Sequence, residues 1–115
     1  MGYDYKLMEQ RRTRRFQLEL PLAITRAGTE RTVHPGLTKN ISSMGVLFTA
    51  GAQPDLGGPI EYVITLNHEG TQPVNLRCVG KVVRSEPAGN GDARRHFQIA
   101  VTLERYEFVR DLGYR

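Results

Sequence analysis

The chain is poor in cysteine and contains no long apolar run. Cys78 is the one cysteine among 115 residues, so no disulfide can form within the chain and nothing implies an oxidising compartment. A single cysteine and three scattered histidines, His34, His68 and His96, do not suggest a zinc site. No apolar stretch approaches the ~20 residues that a membrane-spanning helix needs.

The N-terminal residues carry no targeting pattern either. Residues 1–10 lack the apolar segment of a secretory signal, and Lys6 departs from the usual Gly-initiated myristoylation pattern. We therefore expect a soluble, cytoplasmic protein. A length of 115 residues with 39% hydrophobic content suits one packed core. We expect an N-terminal arm over residues 1–10 and one domain over residues 11–115.

Patterns for catalysis and for common phosphate-binding loops are also missing. No nucleophile elbow or triad pattern is present, and the acidic residues are dispersed. Cys78 lies on the apolar face of an alternating segment, which favours a buried structural thiol. Gly51, Gly57 and Gly58 fit neither a Walker nor a Rossmann pattern. We expect no enzyme, no catalytic residue, no metal and no cofactor.

Alternating apolar residues are what the chain does have. They recur at every second position over residues 16–24, where Pro21 on the other face indicates an edge or a bulge. Further strands are predicted over residues 30–39 (weakened at His34-Pro35-Gly36), 46–49, 60–66, 74–82 and 97–103. Turn-rich segments separate them. About six strands predict an antiparallel barrel or sandwich.

The last segment has a different pattern. Residues 104–112 contain no proline, and the apolar residues Tyr106, Val109 and Leu112 follow near-helical spacing. Gly113 is placed to end a helix. The pattern predicts a short C-terminal helix.

Positive charge is concentrated before the first strand. Residues 11–15 read Arg-Arg-Thr-Arg-Arg and hold four of the 16 Lys and Arg residues, in a chain of net charge +4. The simplest interpretation is a solvated basic arm, or a linker that binds nucleic acid without specificity. The alternative is recognition of a guanine nucleotide, because the guanidinium group binds phosphate bidentately, donates to guanine O6 and N7, and stacks on bases.

A polar segment, Asn40-Ile41-Ser42-Ser43-Met44-Gly45, links two predicted strands. Asn and Ser commonly shape turns through their own hydrogen bonds, and glycine tolerates positive φ. Alternatively, Asn40 and Ser42 point the same way from an extended backbone and offer polar groups to a base edge. Gly45 would then bring the backbone close to the ligand or complete the turn.

Together the two segments resemble the PilZ domain, a bacterial receptor module for the second messenger cyclic di-GMP. The family motif is Arg-x-x-x-Arg followed by Asp/Asn-x-Ser-x-x-Gly. Arg11 and Arg15 match the first element, and Asn40, Ser42 and Gly45 match the second. Segments 46–48, 80–84 and 97–103 also resemble the family, so the resemblance spans about residues 9–110.

The resemblance implies a six-stranded antiparallel β-barrel with a C-terminal helix. It implies cyclic di-GMP as ligand, a conformational change on binding, and a downstream protein partner of unknown identity. Asn40 replaces the commoner aspartate, which removes a charge that could pair with guanine N–H donors. The implied ligand-binding residues are Arg11, Arg15, Asn40, Ser42 and Gly45, with Gln10, Arg12, Arg14 and Ser43 as additional candidates.

Two other functions remain open. The chain could be a PilZ-like module that has lost its ligand and acts only through a protein partner. It could also be a small basic barrel that binds RNA or single-stranded DNA. Such barrels interleave exposed aromatics with basic residues, whereas Phe16 and Phe97 fall on faces predicted to be buried.

Overall fold

The computed structural model describes residues 15–66, 73–88 and 97–109, and this part of the chain consists of seven antiparallel strands joined by turns. The strands are β1 (Pro21–Ala27), β2 (Glu30–Ile41), β3 (Gly45–Ala50), β4 (Pro59–Leu66), β5 (Val74–Pro87), β6 (Phe97–Thr102) and β7 (Arg105–Val109). The expected all-β architecture is confirmed.

Six of the strands close into a barrel. Their order is β4-β1-β2-β3-β6-β5, and an additional pairing between β4 and β5 completes the ring. Closure removes the unpaired edges that an open sheet would expose. The long strand β5 makes this possible, because its first half pairs with β4 and its second half with β6. Strand β7 lies outside the ring and pairs with the first half of β5.

The core fills the barrel interior with alternate residues of the six strands. The largest fully buried side chains are Tyr62 and Phe48, whose ring centroids lie 6.2 Å apart. Tyr62 satisfies its hydroxyl by donating to the Thr102 carbonyl oxygen at 3.0 Å. Burying each such side chain contributes about 1.5–3 kcal/mol. The period-two pattern therefore predicted the strands because one face of each strand is buried.

The start of the barrel differs from its predicted form. The strand expected over residues 16–24 begins only at Pro21, the first residue of β1, where a missing N–H is tolerated. Phe16 forms an isolated bridge with Ile41 and is 53% exposed, so the prediction that it is buried is wrong. The reason is that residues 18–20 are bonded to Thr38 instead of continuing β1.

Strand β2 continues through the segment that was expected to interrupt it. Pro35 lies opposite Ala23 of β1, and Gly36 lies opposite Ala50 of β3. A Cβ atom on Gly36 would stand 2.4 Å from the Thr49 carbonyl oxygen. Here glycine permits close packing of two strands and does not end one.

The predicted C-terminal helix is wrong for residues 105–109, which form β7. Tyr106 and Phe108 alternate with Arg105 and Glu107, and the strand pairs with β5 along its whole length. Glu107 accepts a hydrogen bond of 2.8 Å from Arg77 Nη2 directly opposite. This pairing outweighs the near-helical spacing of the apolar residues. Residues 110–112 of the expected helix lie outside the described residues.

In the described ranges, no helix is long and apolar enough to cross a membrane.

Candidate functional site

A groove of about 400 Å³ lies where β3, β6 and β5 meet the segment that leads into β1. Its volume is within the range of small-molecule sites, about 300–1,000 Å³. Three of the residues singled out from the sequence line it: Arg15, Asn40 and Gly45. Gln10, Arg11, Arg12 and Arg14 lie outside the described residues.

Arg15 is brought to the groove by the backbone of the next residue. Phe16 exchanges two hydrogen bonds with Ile41, from its N to the Ile41 oxygen at 2.8 Å and back at 2.9 Å. The exposed guanidinium group of Arg15 then donates from Nη1 to Asn40 Oδ1 at 2.7 Å. The two elements that the sequence placed 25 positions apart are thus in direct contact.

Thr38 holds the segment that carries Arg15, and sequence analysis did not single it out. Its side chain is fully buried in β2. The hydroxyl accepts a hydrogen bond from Leu20 N at 2.8 Å and donates to the Leu18 carbonyl oxygen, while Thr38 N donates to the Leu20 oxygen at 3.0 Å. The buried Thr38 hydroxyl therefore replaces the backbone hydrogen bonds that a continuous strand pairing would make here. No sequence motif marks Thr38 for this role. Only its position in an apolar environment could have indicated that its hydroxyl holds the segment.

Ser42 forms the turn between β2 and β3. Its side chain is buried, and its hydroxyl accepts hydrogen bonds from Met44 N at 3.1 Å and Gly45 N at 3.2 Å. The same hydroxyl lies 3.3 Å from the Gly45 carbonyl oxygen, to which it donates. Ser42 N donates to that oxygen as well, at 2.9 Å. Of the two interpretations of Ser42, these bonds match turn formation. The neighbouring Ser43 is exposed and does not line the groove.

Gly45 is required by the packing of β3 on β6. A Cβ atom at this position would stand 2.4 Å from the Val101 carbonyl oxygen, a clash with backbone. Gly45 does not adopt a positive φ. The glycine of the second element, which lines the groove, thus allows two barrel strands to pack closely.

Comparison with known proteins agrees with this geometry. The model of the PilZ domain family matches residues 9–110, nearly the whole chain. The chain belongs to the PilZ domain family. Neither a search of curated proteins nor a search of solved structures found a match. PilZ is a family of cyclic di-GMP receptors, and its members are ligand-binding and adaptor domains.

Among the groove residues of this PilZ domain that lie outside the motif positions, three have exposed side chains. Met44 and Val83 present exposed apolar side chains, and Arg84 adds an exposed guanidinium group. Arg84 Nε lies 3.9 Å from Glu86 Oε2, a loose and solvent-exposed ion pair. Met44 falls within the second motif element. Val83 and Arg84 come from β5 and reach the groove because β5 pairs with β6, where Arg84 lies opposite Ala100. The sequence marks segment 80–84 only as resembling the family and predicts no ligand role for either residue.

The barrel core of the PilZ domain contains a buried thiol and a buried phenol, and neither lines the groove. Burial raises the pKa of Cys78 to about 12. Burial, followed by the nearby Cys78, also raises the pKa of Tyr62. Cys78 is fully buried, which confirms the structural thiol expected from the sequence. Among the residues that the structure describes, no three His, Cys, Asp or Glu side chains come together as metal ligands.

Proposed function

We propose that this PilZ domain is a receptor for cyclic di-GMP that binds the dinucleotide in the groove beside Arg15 and signals to a protein partner. The observation that supports it most is the hydrogen bond between Arg15 and Asn40. It places one residue from each motif element on the same groove, and a chance match of two short motifs would not require that contact.

The arginines supply the attraction for an anionic ligand. Arg15 offers a planar guanidinium group that binds phosphate bidentately or stacks on guanine. Arg11 precedes it by four positions and extends the same cationic segment, with Arg12 and Arg14 adding charge. Arg84 approaches the groove from β5 and supplies a second, separate cation. Arginines that reach the groove from two different segments of the chain fit a ligand with two phosphates.

The remaining groove residues favour recognition of a base. Asn40 has an amide that donates and accepts, so it pairs with a guanine edge as well as with Arg15. Met44 and Val83 provide exposed apolar surface for the face of a base. Ser42 shapes the turn between β2 and β3, and Gly45, which lines the groove, allows the close approach of β6. Gln10 and Ser43 remain additional candidates.

Signalling follows from where Arg15 sits in the chain. The Phe16–Ile41 bridge is the first contact of the described chain with β2. A ligand that engages Arg11 and Arg15 together would fix the preceding segment against the barrel. That change creates a surface which differs between the free and bound states, and a partner can recognise the difference. No bond is made or broken in such a switch.

Thermal unfolding with alternative ligands separates the proposed function from its rivals. A ligand of the folded state at 100 times its Kd stabilises by about 2.7 kcal/mol. We expect a rise in Tm with cyclic di-GMP, retained at physiological salt, and no comparable rise with a single-stranded oligonucleotide. A response to oligonucleotides alone that declines steeply with salt would instead favour nucleic-acid binding. No response to either would favour a module that acts through a protein partner only.

A further inference from the structure

Strand β7 presents a sheet edge that no other described strand covers. It pairs with β5 along one side over its five residues, and within the described ranges nothing pairs with its other side. An unpaired edge offers a row of backbone donors and acceptors to another strand. The sequence Arg-Tyr-Glu-Phe-Val contains no proline, and its aromatic and β-branched residues favour strand pairing.

One face of β7 continues the apolar face of the barrel core. Tyr106 lies opposite Cys78 of β5, and Phe108 lies opposite Leu76. Residues directly opposite in an antiparallel pair share a face of the sheet. Cys78 is fully buried, yet Tyr106 is 59% exposed and Phe108 is 66% exposed. Their rings form an edge-to-face pair with centroids 6.1 Å apart. Exposed aromatics next to a bare edge favour a protein partner.

The other face of β7 carries opposite charges two residues apart. Glu107 pairs with Arg77 of β5 at 2.8 Å. Arg105 lies opposite Val79 and has no ion pair among the described residues. Among the described residues, Arg105 therefore carries a charge without an ion-pair partner, and it lies on a strand whose outer edge pairs with no other strand.

We propose that β7 pairs antiparallel with β7 of a second copy of this chain, about a two-fold axis at Tyr106. In that register Arg105 of each copy lies opposite Glu107 of the other, and the two Tyr106 side chains meet on the axis. A charge row then crosses the interface in the order Arg77, Glu107, partner's Arg105. Opposite charges directly across a strand pair stabilise it by about 0.2–1 kcal/mol each.

The charges also select this register over its neighbour. An axis at Glu107 would place two carboxylates directly opposite each other, which is destabilising. In this register residues 105–107 of the two β7 strands lie opposite one another, while Phe108 and Val109 extend beyond the paired residues of β7. Such a contact buries less than the ~1,200 Å² at the lower end of specific interfaces. The dimer is therefore weak and depends on concentration. It does not depend on cyclic di-GMP, because β7 does not line the groove.

Disulfide trapping tests both the pairing and its register. The background is Cys78→Ala, because Cys78 lies opposite position 106 within the same chain and would compete. Opposed residues in antiparallel strands have Cα atoms about 4.5–5.5 Å apart, which fits disulfide geometry. Tyr106→Cys should give covalent dimers under mild oxidation, while Glu107→Cys should give far fewer. Dimers at equal yield, predominantly at position 107, or at neither position would overturn the proposal.

Sedimentation over a range of concentrations tests the charge row without cysteines. Arg105→Glu places like charges across the axis while it keeps the Arg77–Glu107 pair within each chain. We expect the dimer dissociation constant to rise several-fold. Arg31→Glu, the same charge change at an exposed position in the β1–β2 hairpin, should leave it unchanged. A wild-type chain that stays monomeric at every concentration, or an equal response to both variants, would contradict the proposal.

Discussion

Arg15 and Asn40 lie 25 residues apart in the chain and are joined by a hydrogen bond of 2.7 Å from Nη1 to Oδ1. The bond spans the junction between the segment before β1 and the end of β2. It directs an exposed guanidinium group toward the groove, so under the proposed function part of the geometry that cyclic di-GMP meets is set before binding. Preorganisation of this kind lowers the entropy lost on association.

Replacing the Asn40 amide tests this preorganisation. Asn40→Leu has similar size but no acceptor, so Arg15 loses its partner and the proposed contact of Asn40 with the ligand is lost. We expect affinity for cyclic di-GMP to fall about 5–12-fold, the equivalent of about 1–1.5 kcal/mol. Asn40→Asp keeps an acceptor oxygen and should retain binding. Calorimetry on both variants measures the difference, and equal affinities would argue against a role for the acceptor.

Thr38 controls the same segment from beneath. Thr38→Val keeps the shape of the side chain but leaves Leu20 N without its buried partner, which costs about 1–3 kcal/mol of unfolding free energy. Amide exchange at Leu20 should become faster, and ligand affinity should fall because Arg15 is less well placed. Thr38→Ser should recover most of both properties. Unchanged exchange at Leu20 in the valine variant would show that the hydroxyl is not what holds the segment.

We expect the main effect of replacing Gly45 to be a loss of fold stability and not the loss of a ligand contact. A Cβ atom 2.4 Å from the Val101 oxygen forces β3 and β6 apart, so Gly45→Ala should lower the unfolding free energy by more than about 2 kcal/mol. Gly58→Ala is the matched control, since its new Cβ would meet nothing closer than 3.4 Å and its φ is not positive. Denaturant unfolding compares the two. A Gly45→Ala protein as stable as the control would contradict the packing account.

The buried thiol gives the protein a stability that depends on pH. The pKa of Cys78 is raised by burial from 9.0 to about 12, so folding favours the protonated form. This contribution is complete below pH 9.0 and is lost as the pH rises toward about 12. Tyr62, also raised by burial, acts in the same direction. We expect the unfolding free energy to decline over this pH range, and to decline less steeply in Cys78→Ala.

In the folded protein Cys78 should resist alkylation at neutral pH, and rapid modification would contradict its burial.

Sequence periodicity predicted the barrel strands where one face of a strand is buried. Phe48 and Ile99 are examples, since both are fully buried members of alternating segments. It failed where that condition does not hold. Phe16 alternates with its neighbours, but its segment is bonded to Thr38. Tyr106 and Phe108 alternate on a largely exposed face, so burial could not distinguish a strand from a helix.

The motif located part of the groove, and the pairing of β5 with β6 supplied further residues. Arg15 and Asn40 could be predicted because the spacing of each element is characteristic of the PilZ family. The hydrogen bonds of Ser42 with Met44 and Gly45 could not be predicted from the sequence, because serine occurs both in ligand-binding sites and in turns. Arg84 belongs to the groove because β5 pairs with β6, a contact that no local pattern encodes.

Calorimetric titration with cyclic di-GMP tests the central claim most directly, with wild type, Arg15→Ala and Arg14→Ala measured in parallel. The account predicts saturable binding by wild type. A charged bidentate contact contributes about 1.5–3 kcal/mol, so Arg15→Ala should weaken binding by about 10-fold or more, and Arg14→Ala should weaken it much less. No heat with wild type across a wide concentration range, or equal losses in the two variants, would contradict a specific cyclic di-GMP site at Arg15.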